Sequence, residues 1–186
     1  MVPKSIILAA TLSILLGGNS LANASEQRRA AGQAIDNAWR EIKWPFPVDQ
    51  WGSGRAFKCR ATDCGTDVTI YLRPKLGFCN CTTGVSDDAE LDRVGDLELI
   101  SEKFAGLGEG RPITVSSMNG RSRAYRVEPR YGTVLTAVAI AFNDKCDVMV
   151  ATAVGERRFI ADAERAAIDF LNSRPVVAWA EAEFGK

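Results

Sequence analysis

Histidine is missing from this chain of 186 residues. It is the commonest general base near neutral pH and a frequent zinc ligand, so its absence excludes Ser–His and Cys–His catalytic pairs and the usual mixed zinc sites. The sequence also contains no G-x-S-x-G motif, no phosphate-binding glycine loop and no dinucleotide fingerprint. We therefore predict a protein that is not an enzyme and that holds neither a cofactor nor a metal ion.

An excess of charge of one sign is absent as well. The chain has 23 lysine and arginine residues against 23 aspartate and glutamate residues. Removal of an N-terminal signal peptide would take Lys4 with it and leave the mature chain with one more acid than base. Such a balance argues against binding to nucleic acid or to an anionic membrane surface.

The N-terminus has the features of a secretory signal peptide. A positive charge comes first, residues 6–16 form an apolar run, and residues 22–24 (Ala-Asn-Ala) fit the small-x-small cleavage pattern. The run is shorter than the roughly 20 residues of a membrane-spanning helix, which leaves an uncleaved anchor as the alternative. We predict a cleaved signal peptide at residues 1–24 and a single globular domain at residues 25–186. That domain has no transmembrane segment and is periplasmic or secreted.

All five cysteines lie in the predicted mature domain. An oxidising compartment makes structural disulfides the default there, and the odd number leaves one thiol free or paired with another chain. Cys59 and Cys64 are close enough in sequence for a local bridge, whereas Cys146 suits a bridge from either Cys79 or Cys81. The sequence does not decide between those two. The candidate disulfide residues are Cys59, Cys64, Cys79, Cys81 and Cys146.

The C-x-C segment LGFCNCTTG also permits two other interpretations. Four thiolates attract soft metal ions, but neither cysteine pair has the C-x2-C spacing of structural zinc sites. A bond between Cys79 and Cys81 would close a small, strained ring that is easily reduced, as expected of a redox pair. We favour structural disulfides, with a thiol-redox or copper-handling role for Cys79 and Cys81 as the alternative.

The first part of the mature chain is predicted to be helical. Apolar residues recur at three- and four-residue steps over residues 31–42, and the prolines of WPFP (residues 44–47) end the pattern. The loop that follows is rich in aromatic residues, including Trp44, Phe46 and Trp51. We interpret these rings as packing the helix onto a sheet. The alternative is an exposed aromatic patch that binds a partner.

The rest of the chain predicts strands joined by short turns. Asn119-Gly120 is the residue pair that best tolerates a two-residue hairpin turn, and residues 133–142 are apolar on both faces, as in an interior strand. Other strands are predicted at residues 55–61, 67–73 and 146–154, and helices at residues 161–172 and from Ser173-Arg174-Pro175 onward. A short helix is predicted to begin at Ser86, which would be its N-cap, with the acids that follow stabilising the helix N-terminus. The predicted fold is α+β: an antiparallel β-meander of about six strands, covered by N-terminal and C-terminal helices and stapled by disulfides.

The predicted hairpin carries the candidate binding surface. With the turn at Asn119-Gly120, Ser116 faces Arg123 and Thr114 faces Tyr125, so one face gathers guanidinium groups and hydroxyls. Such a face suits a carboxylate, a phosphate or an acidic protein surface, although an ordinary solvated sheet face has the same composition. The candidate binding residues are Arg121, Arg123, Tyr125 and Ser116, flanked by Arg111 and Arg130.

Together these observations predict an exported, non-enzymatic binding or accessory protein. Its partner is predicted to be another protein or an anionic ligand, recognised through the basic face of the hairpin.

Overall fold

The computed structural model describes residues 38–129, 132 and 134–185. Two short helices precede the centre of the chain and two longer ones end it. The strands are β1 (Trp39–Ile42), β2 (Arg55–Cys59), β3 (Val68–Lys75), β4 (Phe104–Gly106), β5 (Arg111–Val115), β6 (Met118–Val127), β7 (Leu135–Asp144) and β8 (Asp147–Gly155). The helices are α1 (Ala61–Cys64), α2 (Asp88–Val94), α3 (Ile160–Leu171) and α4 (Arg174–Glu183). Single 3-10 turns lie at Leu97–Leu99 and Arg157–Phe159.

All eight strands belong to one antiparallel sheet. Its order is β1-β2-β3-β8-β7-β6, and β4 and β5 pair with opposite ends of β6. The predicted α+β class and antiparallel sheet are confirmed, but the predicted number of about six strands was too low. β1 and β4 were missed, since each is short and gains its strand conformation from pairing with β2 or β6.

The sheet is covered on both faces. In β7, Val138, Ile140 and Phe142 pack into the core beneath α3 and α4. The intervening alanines of β7 face the other way, into a second core that includes Leu91 and Val94 of α2. The small alanine side chains allow α2 to lie close to the sheet. This burial on both sides of the sheet explains why the sequence of residues 133–142, predicted as an interior strand, is apolar on both faces.

The predicted N-terminal helix does not extend to residue 42. Trp39–Ile42 instead forms β1, with Trp39 opposite Cys59 and Ile42 opposite Ala56. The Trp39 ring packs on Phe170 of α3, at 4.6 Å between centroids. Sheet pairing and this contact override the helical spacing. Residues 31–37 of the predicted helix and the predicted signal peptide lie outside the described residues. No helix in the described part of the chain is long and apolar enough to cross a membrane.

The hairpin turn is also displaced from its predicted position. Val115 lies opposite Met118, so Ser116 and Ser117 form the turn, and Ser116 has a φ of 55°. The Asn172 side chain accepts a hydrogen bond from the Ser116 amide at 2.9 Å, which helps to hold the turn. Asn119 and Gly120 belong to β6. The predicted pairings of Ser116 with Arg123 and of Thr114 with Tyr125 are therefore wrong.

Gly120 is required for packing rather than for turning. A Cβ atom at this position would lie 2.1 Å from the carbonyl oxygen of Ala141 and 2.8 Å from Cα of Phe142. We expect Gly120→Ala to lower the free energy of unfolding by about 1–3 kcal/mol, because the backbone of β7 must move. Urea denaturation measures this change.

Gly108→Ala is the matched control, since a Cβ atom there has open space and the backbone is not left-handed. Its free energy of unfolding should stay within about 0.5 kcal/mol of the wild type. Equal losses in the two variants would show that the approach of β7 to Gly120 is unimportant.

The cysteines form two disulfides and one free thiol among the described residues. Cys59 bonds to Cys64, as predicted for the local pair, and Cys146 bonds to Cys81 rather than to Cys79. Cys79 is free and buried. The second bridge ties the segment between β3 and α2 to the turn between β7 and β8. Cys79 and Cys81 are not bonded to each other.

Candidate functional site

Helix α2 covers the arginines that were predicted to form an open basic face. Its N-terminal end is capped by Asp87, which accepts a hydrogen bond from the Glu90 amide, and not by Ser86 as predicted. Asp88 and Asp92 are one helical turn apart and point at β6. Arg121 donates to Asp88 at 2.5 Å, and Arg123 lies 3.2 Å from Asp92. The two guanidinium groups are therefore neutralised within the protein.

Tyr125 extends the same network into the core. Its side chain is buried, and its hydroxyl donates a hydrogen bond to Asp92. The Arg123 guanidinium lies 5.3 Å from the centre of the Tyr125 ring. Tyr125 was predicted to lie on a solvent-exposed face, and the position of α2 is the physical reason why it does not.

The glycine-rich connector of residues 106–110 closes around these arginines. Arg123 donates to the carbonyl oxygen of Gly108 at 2.8 Å, and Arg121 donates to that of Gly110 at 3.0 Å. A Cβ atom on Gly106 would lie 2.2 Å from the Arg123 guanidinium. The absence of side chains at these glycines lets the backbone of the connector approach two charged groups.

The other predicted binding residues lie elsewhere. Arg111 pairs with Glu164 of α3 at 3.0 Å, on the opposite face of the sheet from Arg121. Ser116 is in the exposed hairpin turn, and Arg130 lies outside the described residues. The predicted set thus does not form one surface, and its role in binding stays a prediction.

Ionisation in the network follows from these contacts. The Arg121 guanidinium, helped by the Gly110 amide, lowers the pKa of Asp88. Burial raises the pKa of Tyr125, and the neighbouring Asp92 carboxylate raises it further. Tyr125 therefore keeps its proton in the folded protein at pH values where an exposed tyrosine, with a pKa near 10, begins to lose it.

This shift predicts how Tyr125 affects stability at high pH. Above a pH of about 10 the unfolded chain loses the tyrosine proton before the folded protein does, so the stability that Tyr125 contributes falls as pH rises. At neutral pH we expect Tyr125→Phe to lower the free energy of unfolding by about 1.5–3 kcal/mol, through loss of a hydrogen bond to a charged group.

Urea denaturation of both proteins between neutral and alkaline pH measures the effect. The difference between wild type and Tyr125→Phe should shrink above the tyrosine pKa. Other groups that titrate there, such as Tyr71 and Cys79, are common to both proteins and cancel. A difference that stays constant with pH would contradict the assignment.

Asp92 also lines a cleft of about 410 Å³ next to this network. One wall of the cleft carries Trp51 and Phe78, whose ring centroids are 4.5 Å apart. Leu99 and Phe104 contribute apolar surface on another side. The floor consists of charged side chains from β3 and from the segment after α2. We call this feature the aromatic cleft.

The floor of the aromatic cleft is a buried ion cluster. Arg73 is 2% exposed and donates two hydrogen bonds to Asp96, at 2.7 and 2.8 Å, and a third to Asp49 at 2.7 Å. Lys75, also buried, lies 2.8 Å from Asp96 and donates to the carbonyl oxygen of Val94 at 2.7 Å. Each charge has a partner of opposite sign, which buried charges require.

The ion cluster positions the aromatic wall. The Asp49 carboxylate that accepts from Arg73 also accepts from the Trp51 amide at 2.8 Å. The Lys75 ammonium lies 5.7 Å from the centre of the Trp51 ring and 5.5 Å from that of Phe78. Arg93 of α2 covers another side of Phe78, at 4.8 Å. Each of the two rings therefore contacts at least one cation, and both rings are half-buried.

Sequence reasoning did not identify the aromatic cleft. Arg73 lies in the strand predicted at residues 67–73, but the sequence did not indicate that its side of the strand is covered. Trp51 was considered for an exposed aromatic patch as the alternative to core packing. The signal that was available is the pair of cations at the end of β3, Arg73 and Lys75, followed closely by Phe78.

Two chemical properties of the described residues limit what this region can do. Histidine, cysteine and acidic side chains do not come together in groups of three or more that could hold a metal ion within the described ranges. The lysine and arginine side chains of the cleft and of the hairpin network are paired with carboxylates. Among the apolar residues of the lining, the half-exposed rings of Trp51 and Phe78 remain available for contact.

Comparison with known proteins adds little to this description. No family model matches the sequence, and no curated protein matches it. Among solved structures, the solution structure of cyanobacterial PsbP (CyanoP) from Synechocystis sp. PCC 6803 is similar, with a TM-score of 0.42 and 10% identity. The match covers 72% of this chain and 78% of that one. A likeness of this size does not place the chain in a family.

Proposed function

We propose that the protein is an exported, non-enzymatic binding or accessory protein that engages a partner protein through the aromatic cleft. Export is supported by the predicted signal peptide at residues 1–24 and by the two disulfides, which persist in an oxidising compartment. The location proposed is periplasmic or secreted, with residues 25–186 as the mature domain.

The observation that carries the binding site is the preorganised Trp51–Phe78 pair. Tryptophan is enriched among the residues that dominate interface energetics, above all where it is rigid and surrounded by groups that exclude water. Trp51 is fixed through its amide by Asp49 and lies against Lys75. Because the pair is already ordered, docking onto it costs little conformational entropy.

The charge pattern supports a protein rather than an anionic ligand. Arg73 and Lys75 are saturated by Asp96, and Arg93 makes a two-point contact with Glu90, its shorter distance being 2.6 Å. Arg121 and Arg123 are held by α2. To bind these cations, the carboxylate or phosphate of a ligand would have to displace the protein carboxylate that already pairs with each of them. The basic residues therefore contribute little to binding an anion.

Comparative pull-downs from the native compartment, analysed by mass spectrometry, test the proposal. We expect Trp51→Ala to weaken binding of the proteins that the wild type retains by about 2 kcal/mol or more, roughly a thirtyfold rise in Kd. Trp179→Ala is the matched control, because this half-buried tryptophan lies on α4, across the sheet.

The double variant Arg121→Ala/Arg123→Ala tests the predicted hairpin surface in the same experiment. Equal melting temperatures of Trp51→Ala and Trp179→Ala ensure that folding is not the cause of any loss. Retention of the same proteins by Trp51→Ala and by wild type would contradict a binding role for the cleft. If only the double arginine variant failed to retain these proteins, binding would be assigned to the hairpin instead.

A further inference from the structure

Three of the five cysteines meet at one place on the surface of the sheet. Cys81 is bonded to Cys146, and the free Cys79 is hydrogen-bonded to Cys146 and to the preceding residue, Lys145. The Cys79 amide donates to the carbonyl oxygen of Cys146 at 3.1 Å, and its thiol donates to the carbonyl oxygen of Lys145 at 3.2 Å. That second carbonyl belongs to the peptide bond that leads into Cys146. The free thiol therefore lies beside an existing disulfide.

The two cysteines of the C-x-C segment differ sharply in exposure. Cys79 is 6% exposed, whereas Cys81 is on the surface and Cys146 is half-buried. One end of the disulfide is thus on a surface residue, whereas the free thiol belongs to a buried one.

We propose that Cys79, Cys81 and Cys146 form a thiol–disulfide exchange site that moves the free thiol from the interior to the surface. In this step the Cys79 thiolate attacks Sγ of Cys146, a Cys79–Cys146 bond forms, and the bond to Cys81 breaks. The electron pair leaves with Cys81, which becomes a thiolate and takes up the proton lost by Cys79. One thiol and one disulfide are present before and after, so no external oxidant or reductant is needed.

The two isomers have nearly equal loop-closure entropy. The bond to Cys81 spans 65 residues of sequence, and a bond to Cys79 would span two more. Because closure entropy varies only with the logarithm of loop length, it does not favour either isomer. Local packing decides instead, and the buried position of Cys79 favours the Cys81–Cys146 isomer.

The surroundings of Cys79 slow the exchange without preventing it. Burial raises the pKa of its thiol, as do the carboxylates of Glu90 on α2 and Asp147 on β8, while Arg93 acts in the opposite direction. The attacking thiolate is therefore a minor species. Once exchange has occurred, the thiol on Cys81 is exposed and free to react with a disulfide-bearing partner or with an alkylating reagent.

Alkylation of the native protein with N-ethylmaleimide, without reductant, tests the proposal. Digestion and mass spectrometry then locate the label and the disulfides. We expect the label on Cys81 together with a Cys79–Cys146 bond. In unlabelled protein brought directly into acid, where protonated thiols do not exchange, disulfide mapping should find the Cys81–Cys146 bond. Native-state label on Cys79 alone, with Cys81–Cys146 intact, would overturn the proposal. Label on Cys81 in Cys79→Ser would also overturn it, since that variant has no internal thiol.

A thiol count in Cys81→Ser gives an independent test. The proposal expects no free thiols in this variant, because Cys79 takes the place of Cys81 in the bond to Cys146. Two free thiols in the folded variant would overturn it. Cys79→Ser is the matched control and also has no free thiol, through the original bond. The exchange site does not depend on the aromatic cleft, so either proposal can fail alone.

Discussion

Asp96→Ala is expected to lower the free energy of unfolding by about 3–5 kcal/mol, because it leaves two cations buried without their shared partner. Asp96 is 7% exposed and contacts both Arg73 and Lys75. Without Asp96, Lys75 keeps only backbone carbonyl oxygens as partners, and Arg73 keeps only Asp49 and the carbonyl oxygen of Gly52. Since both cations stay buried and under-compensated, the substitution removes more than the attraction of one ion pair. Equilibrium denaturation in urea, with near-ultraviolet circular dichroism as the probe of the aromatic cleft, measures the effect.

Glu41→Ala is the matched control for this prediction. It removes a carboxylate that also makes a two-point contact with an arginine, Arg55, but the two side chains are 51% and 36% exposed. Water replaces the lost contact there, so the free energy of unfolding should fall by no more than about 1 kcal/mol. Similar losses in Asp96→Ala and Glu41→Ala would mean that burial of the cluster does not matter.

Cys146→Ser is expected to lower the free energy of unfolding by about 4 kcal/mol under non-reducing conditions. The bond from Cys146 to Cys81 has a sequence separation of 65, and opening it gives the unfolded chain much more freedom. The same variant also removes the alternative partner of Cys79, so no other long loop can form. Thermal and urea unfolding without reductant measure the loss.

Cys64→Ser provides the comparison, since its bond to Cys59 has a separation of only five residues. The chain-entropy argument gives about 2 kcal/mol for a loop of that size. Cys146→Ser should therefore be the more damaging of the two variants. The opposite order would show that native-state contacts, not loop closure, determine how these disulfides stabilise the fold.

Much of the sheet was predictable because local patterns reflect burial directly. The alternation in β3 and the continuous apolar run of β7 each report which faces of a strand are covered. β1 was not predictable, because Trp39–Ile42 owes its conformation to β2 and to Phe170, which are distant in sequence. The turn at Asn119-Gly120 was mispredicted for a related reason. Local turn preference is weaker than the need for a glycine where β6 passes close to β7.

The candidate site was less predictable than the fold. The acids of α2 were interpreted as stabilising the helix N-terminus, and the arginines of β6 as an open basic face. Asp88 and Arg121 are 33 residues apart, and with 23 acids and 23 bases in the chain nothing local indicates which will pair. The same applies to Asp96 with Arg73 and Lys75. Ion pairing follows from packing, so the charge pattern alone did not reveal that the basic residues are neutralised.

The edges of the sheet have a consequence for association between copies of the chain. β6 is lined by two short strands, β4 and β5, with the connector of residues 107–110 between them. At the other edge, β1 is four residues long and exposes Arg40 and Glu41. Long, regular edges with free amides and carbonyls are the templates on which sheets extend from molecule to molecule. In the described part of the chain, a broken edge on one side and a short, charged edge on the other make the sheet a poor template for strand addition between copies of the protein.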